Sequence, residues 1–344
     1  NESTLEASPL IKDIPPVELD KLVPAHNQLA PWLIQDYQCN LIVDTAPPFN
    51  AQVESIRGGS GILKNQSTCP FNAFAIHRLG AEPLKEPLLG LSPMVRGNLV
   101  HEILYRLWKG WKTSQQLSQL SAAEISDEVD RQVDAVLTEQ GPKNPVLLGI
   151  RYKQLEHQRL VKLILQWLEL EKTRPSFNVI ATEQRASISF GQLKLSLQID
   201  RIDSIDGKQV IIDYKTGNVS ANDWLGERPK DPQLPLYLLA NPTPLAGCTF
   251  AQLKSNNLKF NGLSESQLIP DIRVSDNWSL QVQEWQSAIH NLASEFIQGN
   301  SQLRVYNKTA FAYQNYLLPL NRWHEYEAIR TQLKSSDRQL EGRN

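Results

Sequence analysis

The chain lacks the features that mark several classes of protein. Its 344 residues include only three cysteines, Cys39, Cys69 and Cys248, too few and too widely spaced for a disulfide framework or for a zinc site built from them alone. No apolar run approaches the roughly 20 residues of a transmembrane helix, and the N-terminus lacks the basic and then apolar layout of a signal peptide. We therefore expect three reduced thiols in a soluble, cytoplasmic protein with no membrane partner.

Neither sign of charge is in excess. The 35 Lys and Arg residues nearly balance 37 Asp and Glu residues, which gives a formal net charge of −2. This balance argues against a protein that coats nucleic acid by bulk charge, although it does not exclude a local basic patch. With 41% hydrophobic residues, the chain has ample material for a core and is not disordered.

The order of patterns along the chain predicts one elaborated α/β domain. Residues 1–57 are rich in proline and read as an irregular arm or the tail of a preceding domain, and residues 58–344 read as the domain itself. Helical spacing dominates about 93–175, and a period of two runs from Ala181 to Thr216 within an α/β core of about 181–260. A strand is predicted at Thr249–Lys254, and a helix at Trp278–Phe296 opens a C-terminal helical segment of about 277–344. Because the chain opens on Asn1 and its one methionine is Met94, we expect a piece of a larger protein.

A glycine-rich stretch near residue 58 resembles a phosphate-binding loop only superficially. Gly58-Gly59-Ser60-Gly61 is not followed by Gly-Lys-Ser/Thr at the spacing of a P-loop. We expect no nucleotide cofactor.

The most informative stretch is a predicted hairpin with two facing carboxylates. Asp206-Gly207 favours a two-residue turn, because both positions accept a positive φ. Ile205 then pairs with Lys208, and the same register places Asp200 directly across from Asp213. Carboxylates opposed in this way repel each other, so a positive group is needed between them.

Lys215 projects from the same face as Asp213, two residues away, and two carboxylates beside an ammonium suit a hard cation such as Mg²⁺. The competing interpretation is a surface hairpin whose Asp and Lys side chains form ordinary ion pairs. The apolar run 210–212 favours a buried strand and hence the metal site. A bulge at Gly207 would shift the register and remove the opposition.

Four motifs in this order resemble the PD-(D/E)XK nuclease superfamily, and specifically its RecB-type, AddB-like branch. They are Gly97-x-x-x-His101 within Arg96–Leu104, Asp200 within Ile199–Asp203, Asp213-Tyr214-Lys215, and Gln233-x-x-x-Tyr237. The resemblance implies a restriction-endonuclease-like core, a mixed central sheet flanked by helices, with an added helical region. It also implies cleavage of phosphodiester bonds in DNA.

The resemblance assigns roles to individual residues. Asp200, Asp213, His101 and the backbone carbonyl of Tyr214 would hold Mg²⁺ or Mn²⁺, and imidazole suits Mn²⁺ better than Mg²⁺. Lys215 would orient the attacking water or stabilise charge in the transition state. Asp200, Asp213, Lys215 and His101 form the expected catalytic set. Without the resemblance, His101 would be an ordinary histidine on a helix face.

Four further residues have more than one interpretation. Gln233 and Tyr237 share a helical face and either bind the DNA backbone or support Lys215. Arg201 either contacts phosphate or is an ion-pair partner within its strand. Glu183 matches a frequent acid of the family and is either a further metal ligand or a neighbour of one.

The chain departs from many RecB-type domains at the iron–sulfur positions. Cys69 resembles the first cysteine of the cluster, but Ala312, Asn315 and Asn321 stand where the other three would lie, followed by Arg322. A [4Fe–4S] cluster needs four thiolates, so we expect none. We expect the two segments to be joined instead by aromatic packing, through residues Phe71, Phe74, Tyr313 and Trp323.

The sequence therefore predicts a Mg²⁺- or Mn²⁺-dependent deoxyribonuclease in DNA repair or recombination. Its partners would be DNA and a helicase-like subunit or the remainder of a larger protein, because no helicase motif occurs in the chain. The alternative is a catalytically inactive nuclease fold that binds DNA or acts as a scaffold, and a weaker one is a structural partner in RNA processing.

Overall fold

The computed structural model describes residues 10, 13–15, 17, 45–54, 56, 58–84 and 88–329. The chain divides into two compact units, residues 1–43 and 44–344. Most of the predicted arm, with Cys39, and residues 330–344 of the predicted C-terminal segment lie outside the described residues. Cys69 and Cys248 are buried free thiols. The elements below belong to the second unit.

Among the described residues, six α-helices precede the first strand. Two of the longest three start at side-chain caps: Ser92 accepts a hydrogen bond from the backbone of Val95, and Ser121 and Glu124 form a capping box. Their apolar faces follow the predicted spacing, so the helical region is confirmed. The helices are α1 (Ser60–Thr68), α2 (Pro70–His77), α3 (Pro93–Trp111), α4 (Ser114–Gln119), α5 (Ala122–Gln140) and α6 (Ile150–Lys172).

A six-stranded mixed sheet follows, in the order β1-β2-β3-β4-β5-β6. The β3–β4 and β5–β6 pairs are parallel and the others antiparallel. The strands predicted within 181–216 and at 249–254 are confirmed, whereas β5 and β6 were not predicted. The strands are β1 (Asn178–Phe190), β2 (Leu193–Ile205), β3 (Lys208–Lys215), β4 (Gly247–Lys254), β5 (Asn257–Ser264) and β6 (Arg273–Val274).

The β2–β3 hairpin has the predicted turn and register. Asp206 and Gly207 have φ values of 49° and 78°, which is the left-handed geometry of the turn. Ile205 pairs with Lys208, and the ladder continues in step to Arg201 and Ile212. No bulge interrupts these pairs. The ladder ends one pair before Asp200 and Asp213.

Helices cover both faces of the sheet. Val210 and Ile212 join a core cluster with α3, α5 and α6, while Ile211 joins a second cluster with α1, α7 and α8. This arrangement explains the continuous apolar run of β3, because both of its faces are buried. The later helices are α7 (Gln233–Ala240), α8 (Trp278–Ile297), α9 (Lys308–Ala312) and α10 (Leu318–Asn321).

The predicted α/β class, with a mixed sheet flanked by helices, is confirmed. The helix predicted at 278–296 is also confirmed, ending one residue later. Within the described ranges, each helix is too short or too polar to cross a lipid bilayer.

Candidate active site

Three carboxylates occupy neighbouring positions on three adjacent strands. On β1, Glu183 lies between residues that pair with Arg201 and Ile199, so it stands opposite Asp200 on β2. Asp213 on β3 is the next position outward from the last β2–β3 pair, again on the side of Asp200. The strand registers therefore bring together acids that are 13 or more residues apart in sequence.

His101 brings an imidazole from α3 to these acids. Its Nδ1 lies 3.2 Å from Oδ2 of Asp200. His101, Glu183 and Asp200 each offer one ligand atom, and these three atoms all lie within 4.8 Å of one another. The His101 ring also meets the ring of Tyr214 edge-on, with 5.9 Å between centroids, which orients the imidazole.

Burial and charge compete at His101 and Glu183. Burial lowers the pKa of His101, but the hydrogen bond and charge of Asp200, together with the charge of Asp213, outweigh burial, so the His101 pKa is raised. Burial raises the pKa of Glu183; the hydrogen bond from Gln198 opposes this effect, and the charge of Asp200 reinforces it. The cluster therefore has an excess of negative charge that a cation would relieve.

Asp213 forms a second group beside this cluster, together with Lys215. Its Oδ2 pairs with Nζ of Lys215, and its Oδ1 accepts a hydrogen bond of 2.9 Å from Nε2 of Gln233. Burial and then the charge of Asp200 raise the pKa of Asp213 to about 7, against the opposing charge of Lys215. Burial lowers the pKa of Lys215, but the hydrogen bond and charge of Asp213, together with the charges of Asp200 and Asp231, outweigh burial, so the Lys215 pKa is raised and the side chain stays an ammonium.

Gln233 connects both members of this second group. Its Oε1 accepts from Nζ of Lys215 at 2.9 Å, and its Nε2 donates to Tyr237 Oη at 2.8 Å as well as to Asp213. Gln233 and Tyr237 lie one turn apart on α7, as the sequence pattern indicated. The sequence left two roles open for Gln233 and Tyr237, binding of the DNA backbone or support of Lys215, and these contacts favour support of Lys215.

Glu183 has strained backbone geometry. Its φ is 50°, in the left-handed region that glycine favours, and the β1–β2 register shifts nearby, between Val179 and Ala181. Strain of this kind costs about 1–3 kcal/mol and tends to occur where a side chain must be aimed at a site.

The side chains present suit a hard divalent cation. Carboxylate oxygens and one imidazole are ligands for Mg²⁺ or Mn²⁺, and Glu183, Asp200 and His101 are within reach of one ion. Asp213 lies beside them, at the position that follows the last β2–β3 pair on the side of Asp200. The backbone of Tyr214 meets the site through its N–H, which donates to Asp200 Oδ2 at 2.8 Å. A role for the Tyr214 carbonyl as a ligand stays a prediction.

Arg201 is a buried ion-pair partner, the second of its two interpretations, and the prediction that it contacts phosphate is wrong. The side chain is fully buried on the opposite face from Asp200, where it pairs with Glu171 at 2.8 Å and Asp203 at 2.6 Å. Its guanidinium also lies 3.9 Å from the ring centroid of Trp108. The alternation of a strand explains the result, because neighbouring residues project to opposite faces and Asp200 occupies the site.

The structure adds residues that the sequence pattern did not single out. An open cleft of about 530 Å³ lies over His101, Glu183 and Asp200. Period-two spacing from Glu183 and Asp200, and helical spacing from His101, would have identified most of its remaining lining. Those further residues are Asn98, Glu102, Tyr105, Arg185 and Gln198.

The iron–sulfur positions hold no set of thiolates, and the residues present do not fit a cluster. Instead, a chain of side-chain amides joins the segment around Cys69 to the segment that contains Ala312 and Asn321. Asn72 donates to Gln314 at 2.8 Å, Gln314 donates to Asn65 at 2.7 Å, and Asn321 donates to Asn72 at 3.4 Å. Among the aromatic residues expected there, Tyr313 is 83% exposed and contributes little packing, which corrects its predicted role.

Comparison with known proteins gives one family. The family model for the PD-(D/E)XK nuclease superfamily matches residues 62–311, well over half of the chain and including every catalytic candidate named above. No curated protein matches the sequence. A solved structure described as the crystal structure of SSO0001 is 14% identical in sequence to this chain. The alignment covers 71% of this chain and 87% of the chain in that structure, with a TM-score of 0.24. A score this low supports no inference about this chain.

The family match agrees with the mixed sheet flanked by helices, which is the restriction-endonuclease-like core that the motifs implied. PD-(D/E)XK nucleases use divalent metals, and the cluster of His101, Glu183 and Asp200 is a candidate site for one. The RecB-type branch stays a prediction. The chain belongs to the PD-(D/E)XK nuclease superfamily.

Proposed function

We propose that this protein is a metal-dependent deoxyribonuclease that hydrolyses phosphodiester bonds. One observation carries the proposal: Glu183, Asp200 and Asp213 occupy adjoining positions on three strands. His101 contacts Asp200 of this group, and Lys215 pairs with Asp213. A scaffold that only retained the fold would have no reason to keep so many like charges together, because each destabilises its neighbours.

The first part of the proposal concerns the metal. His101, Glu183 and Asp200, with Asp213 beside them, would hold Mg²⁺ or Mn²⁺ as the coordinating groups. A divalent cation there would polarise a phosphate oxygen and lower the pKa of bound water. The Tyr214 carbonyl is proposed as a further ligand.

Lys215 would act as a fixed positive charge. Its ammonium is held by Asp213 and by Gln233 Oε1, and the raised pKa of Lys215 keeps it protonated at neutral pH. A protonated amine cannot remove a proton from water, so the role that fits is stabilisation of charge on the phosphate oxygens and orientation of the attacking water. Gln233 and Tyr237 would keep that ammonium in position.

The cellular role is proposed from the order of the motifs alone. Gly97-x-x-x-His101, Asp200, Asp213-Tyr214-Lys215 and Gln233-x-x-x-Tyr237 resemble the RecB-type branch. This supports action in DNA repair or recombination, beside a helicase-like subunit or the remainder of a larger protein, and a cytoplasmic location stays a prediction.

The test is cleavage of end-labelled linear and single-stranded DNA by the purified protein with Mg²⁺ or Mn²⁺. We expect cleavage that EDTA abolishes and that Asp213→Ala and Lys215→Ala each reduce at least about a hundredfold. Asp127→Ala and Lys259→Ala remove the same charges from exposed positions outside the site and should leave cleavage unchanged.

Two outcomes would contradict the proposal. Absence of cleavage with both metals, while DNA still binds, would favour the inactive DNA-binding or scaffolding alternative. Equal cleavage by the site variants and the wild-type protein would show that the activity comes from elsewhere.

A further inference from the structure

The β1–β2 hairpin extends beyond the rest of the sheet. β1 and β2 have 13 residues each, whereas β3 has eight and its ladder with β2 covers only Arg201–Ile205. Residues 184–199 therefore form a two-stranded ribbon that starts at Glu183 and Asp200. One face of this ribbon is apolar and packs into the core cluster that contains α8.

The opposite face is exposed and polar. Arg185 pairs with Gln198, Ser187 with Ser196, and Ser189 with Lys194, so this face consists of three successive pairs leading away from the acids. All six side chains are exposed. None of the six is a carboxylate, although acids stand at the inner end of the same face.

Both cations on this face are available to a ligand. Within the described part of the chain, no carboxylate oxygen lies within 4 Å of the charged groups of Arg185 or Lys194. Most other arginines of the described part are paired with an acid. A guanidinium, an ammonium, hydroxyls and an amide are all donors to phosphate oxygens.

We infer that the exposed face of the ribbon is a binding track for the sugar-phosphate backbone of a single DNA strand whose scissile phosphate lies at the metal cluster. This inference rests on the proposed nuclease function and extends it by naming where the substrate runs. Arg185 lines the cleft over the metal cluster and binds a phosphate next to the cleaved one. Tyr105, which lines the same cleft, offers a ring on which a base can stack.

The track has a definite length. Lys194 is six positions before Asp200 in β2, and at about 3.4 Å per residue it lies ~20 Å from the acids. Arg185 is only two residues from Glu183. Short substrates therefore reach Arg185 but not Lys194, and this difference makes the inference testable.

The experiment measures equilibrium binding of fluorescent oligonucleotides to chelator-treated protein, with Arg185→Ala, Lys194→Ala and Arg151→Ala variants. Two lengths are used, about 4 and about 16 nucleotides, the ends of the usual range of single-strand site sizes. Arg151→Ala removes an exposed arginine on α6 outside the ribbon and controls for net charge.

We expect Arg185→Ala to weaken binding about tenfold for both lengths, because a charged hydrogen bond to phosphate is lost. Lys194→Ala should weaken binding of the long oligonucleotide only. In the long oligonucleotide, Arg185→Ala and Lys194→Ala should each reduce the slope of log K against log salt by about 0.7, the value for one phosphate contact on a single strand. Arg185→Lys should restore part of the affinity, and Arg151→Ala should change neither affinity nor slope.

The inference is overturned if Arg185→Ala and Lys194→Ala bind the long oligonucleotide with wild-type affinity and slope, or if Arg151→Ala weakens binding equally. These readouts do not depend on catalysis. If the protein does not cleave DNA but its binding still depends on Arg185 and Lys194, the proposed nuclease function is contradicted and the binding track is supported. If the protein cleaves DNA but its binding does not depend on these residues, the nuclease function is supported and the track is contradicted.

Discussion

At the scale of single residues, Gln233 contacts both members of the Asp213–Lys215 pair. Without its amide, Lys215 loses an acceptor and Asp213 loses a donor, while neither cluster ligand nor substrate contact is removed. We expect Gln233→Ala to lower kcat for DNA cleavage about 10–100-fold with little change in KM, the usual cost of removing a group that orients a ligand.

Tyr237→Phe provides a graded comparison for that measurement. It retains the ring but removes the hydroxyl that accepts from Gln233, so its loss of kcat should be smaller. Unchanged kcat in Gln233→Ala, or a loss confined to KM, would contradict a supporting role and favour direct contact with DNA.

Asp213 makes metal affinity depend on pH. Burial and Asp200 raise the pKa of Asp213 to about 7, so the group is protonated below that pH and must release a proton before it can face a cation. The raised pKa of His101 acts in the same direction. We expect Mn²⁺ to bind more weakly as pH falls through 7, with a limiting slope of about tenfold per pH unit for each competing proton.

Calorimetric titration of chelator-treated protein at several pH values, in buffers of different ionisation enthalpy, measures both affinity and proton release. Asp213→Asn should lose most of the pH dependence near 7. A wild-type affinity that stays constant between about pH 6 and pH 8 would contradict this prediction.

At the scale of elements, a buried ion network fastens α6 to β2 directly behind the site. Glu171 of α6 pairs with Arg201 of β2 and with Arg174, and Asp203 pairs with both arginines. All four side chains are fully buried. Because Asp200 adjoins Arg201 in sequence, this network also fixes the strand that carries the site.

We expect Arg201→Met to lower the free energy of unfolding by about 3–5 kcal/mol, because two buried carboxylates are left with only one guanidinium. Urea denaturation measures the loss, and Arg151→Ala, at an exposed position, should stay within about 0.5 kcal/mol of the wild type. An Arg201→Met protein as stable as the wild type would contradict a stabilising role for Arg201 in the network.

The chain of amides joins α1 and α2 to the segment after α8. Asn72 is fully buried and contacts both Gln314 and Asn321. We expect Asn72→Ala to lower the free energy of unfolding by about 1–3 kcal/mol, because buried partners are left unsatisfied. Gln115→Ala, at an exposed site on α4, is the control in the same denaturation series, and an equal effect of the two changes would contradict the role of Asn72.

At the scale of the whole molecule, the sheet joins two core clusters, and the acids lie on its three strands nearest the β1 edge. A cation bound there would stabilise the fold as a unit, because the unfolded chain has no assembled site. At a metal concentration of about 100 Kd, the stabilisation is ~2.7 kcal/mol.

We therefore expect Mg²⁺ or Mn²⁺ to raise Tm in a calorimetric scan. Glu183→Gln and Asp200→Asn should remove most of the rise, whereas Asp127→Asn, at an exposed position on α5, should retain it. The same increase in Tm for all four proteins would indicate cation binding elsewhere, and no increase at saturating metal would contradict the site.

The sequence alone determined the local geometry of this protein. Turn chemistry at Asp206-Gly207 and the period of two determined which residues pair across the β2–β3 hairpin, because both depend on neighbouring residues. Motif order led to the family. Tertiary structure decided that Arg201 lies in the core and that amides join residues about 240 positions apart. These outcomes depend on packing between distant elements, which no local pattern encodes.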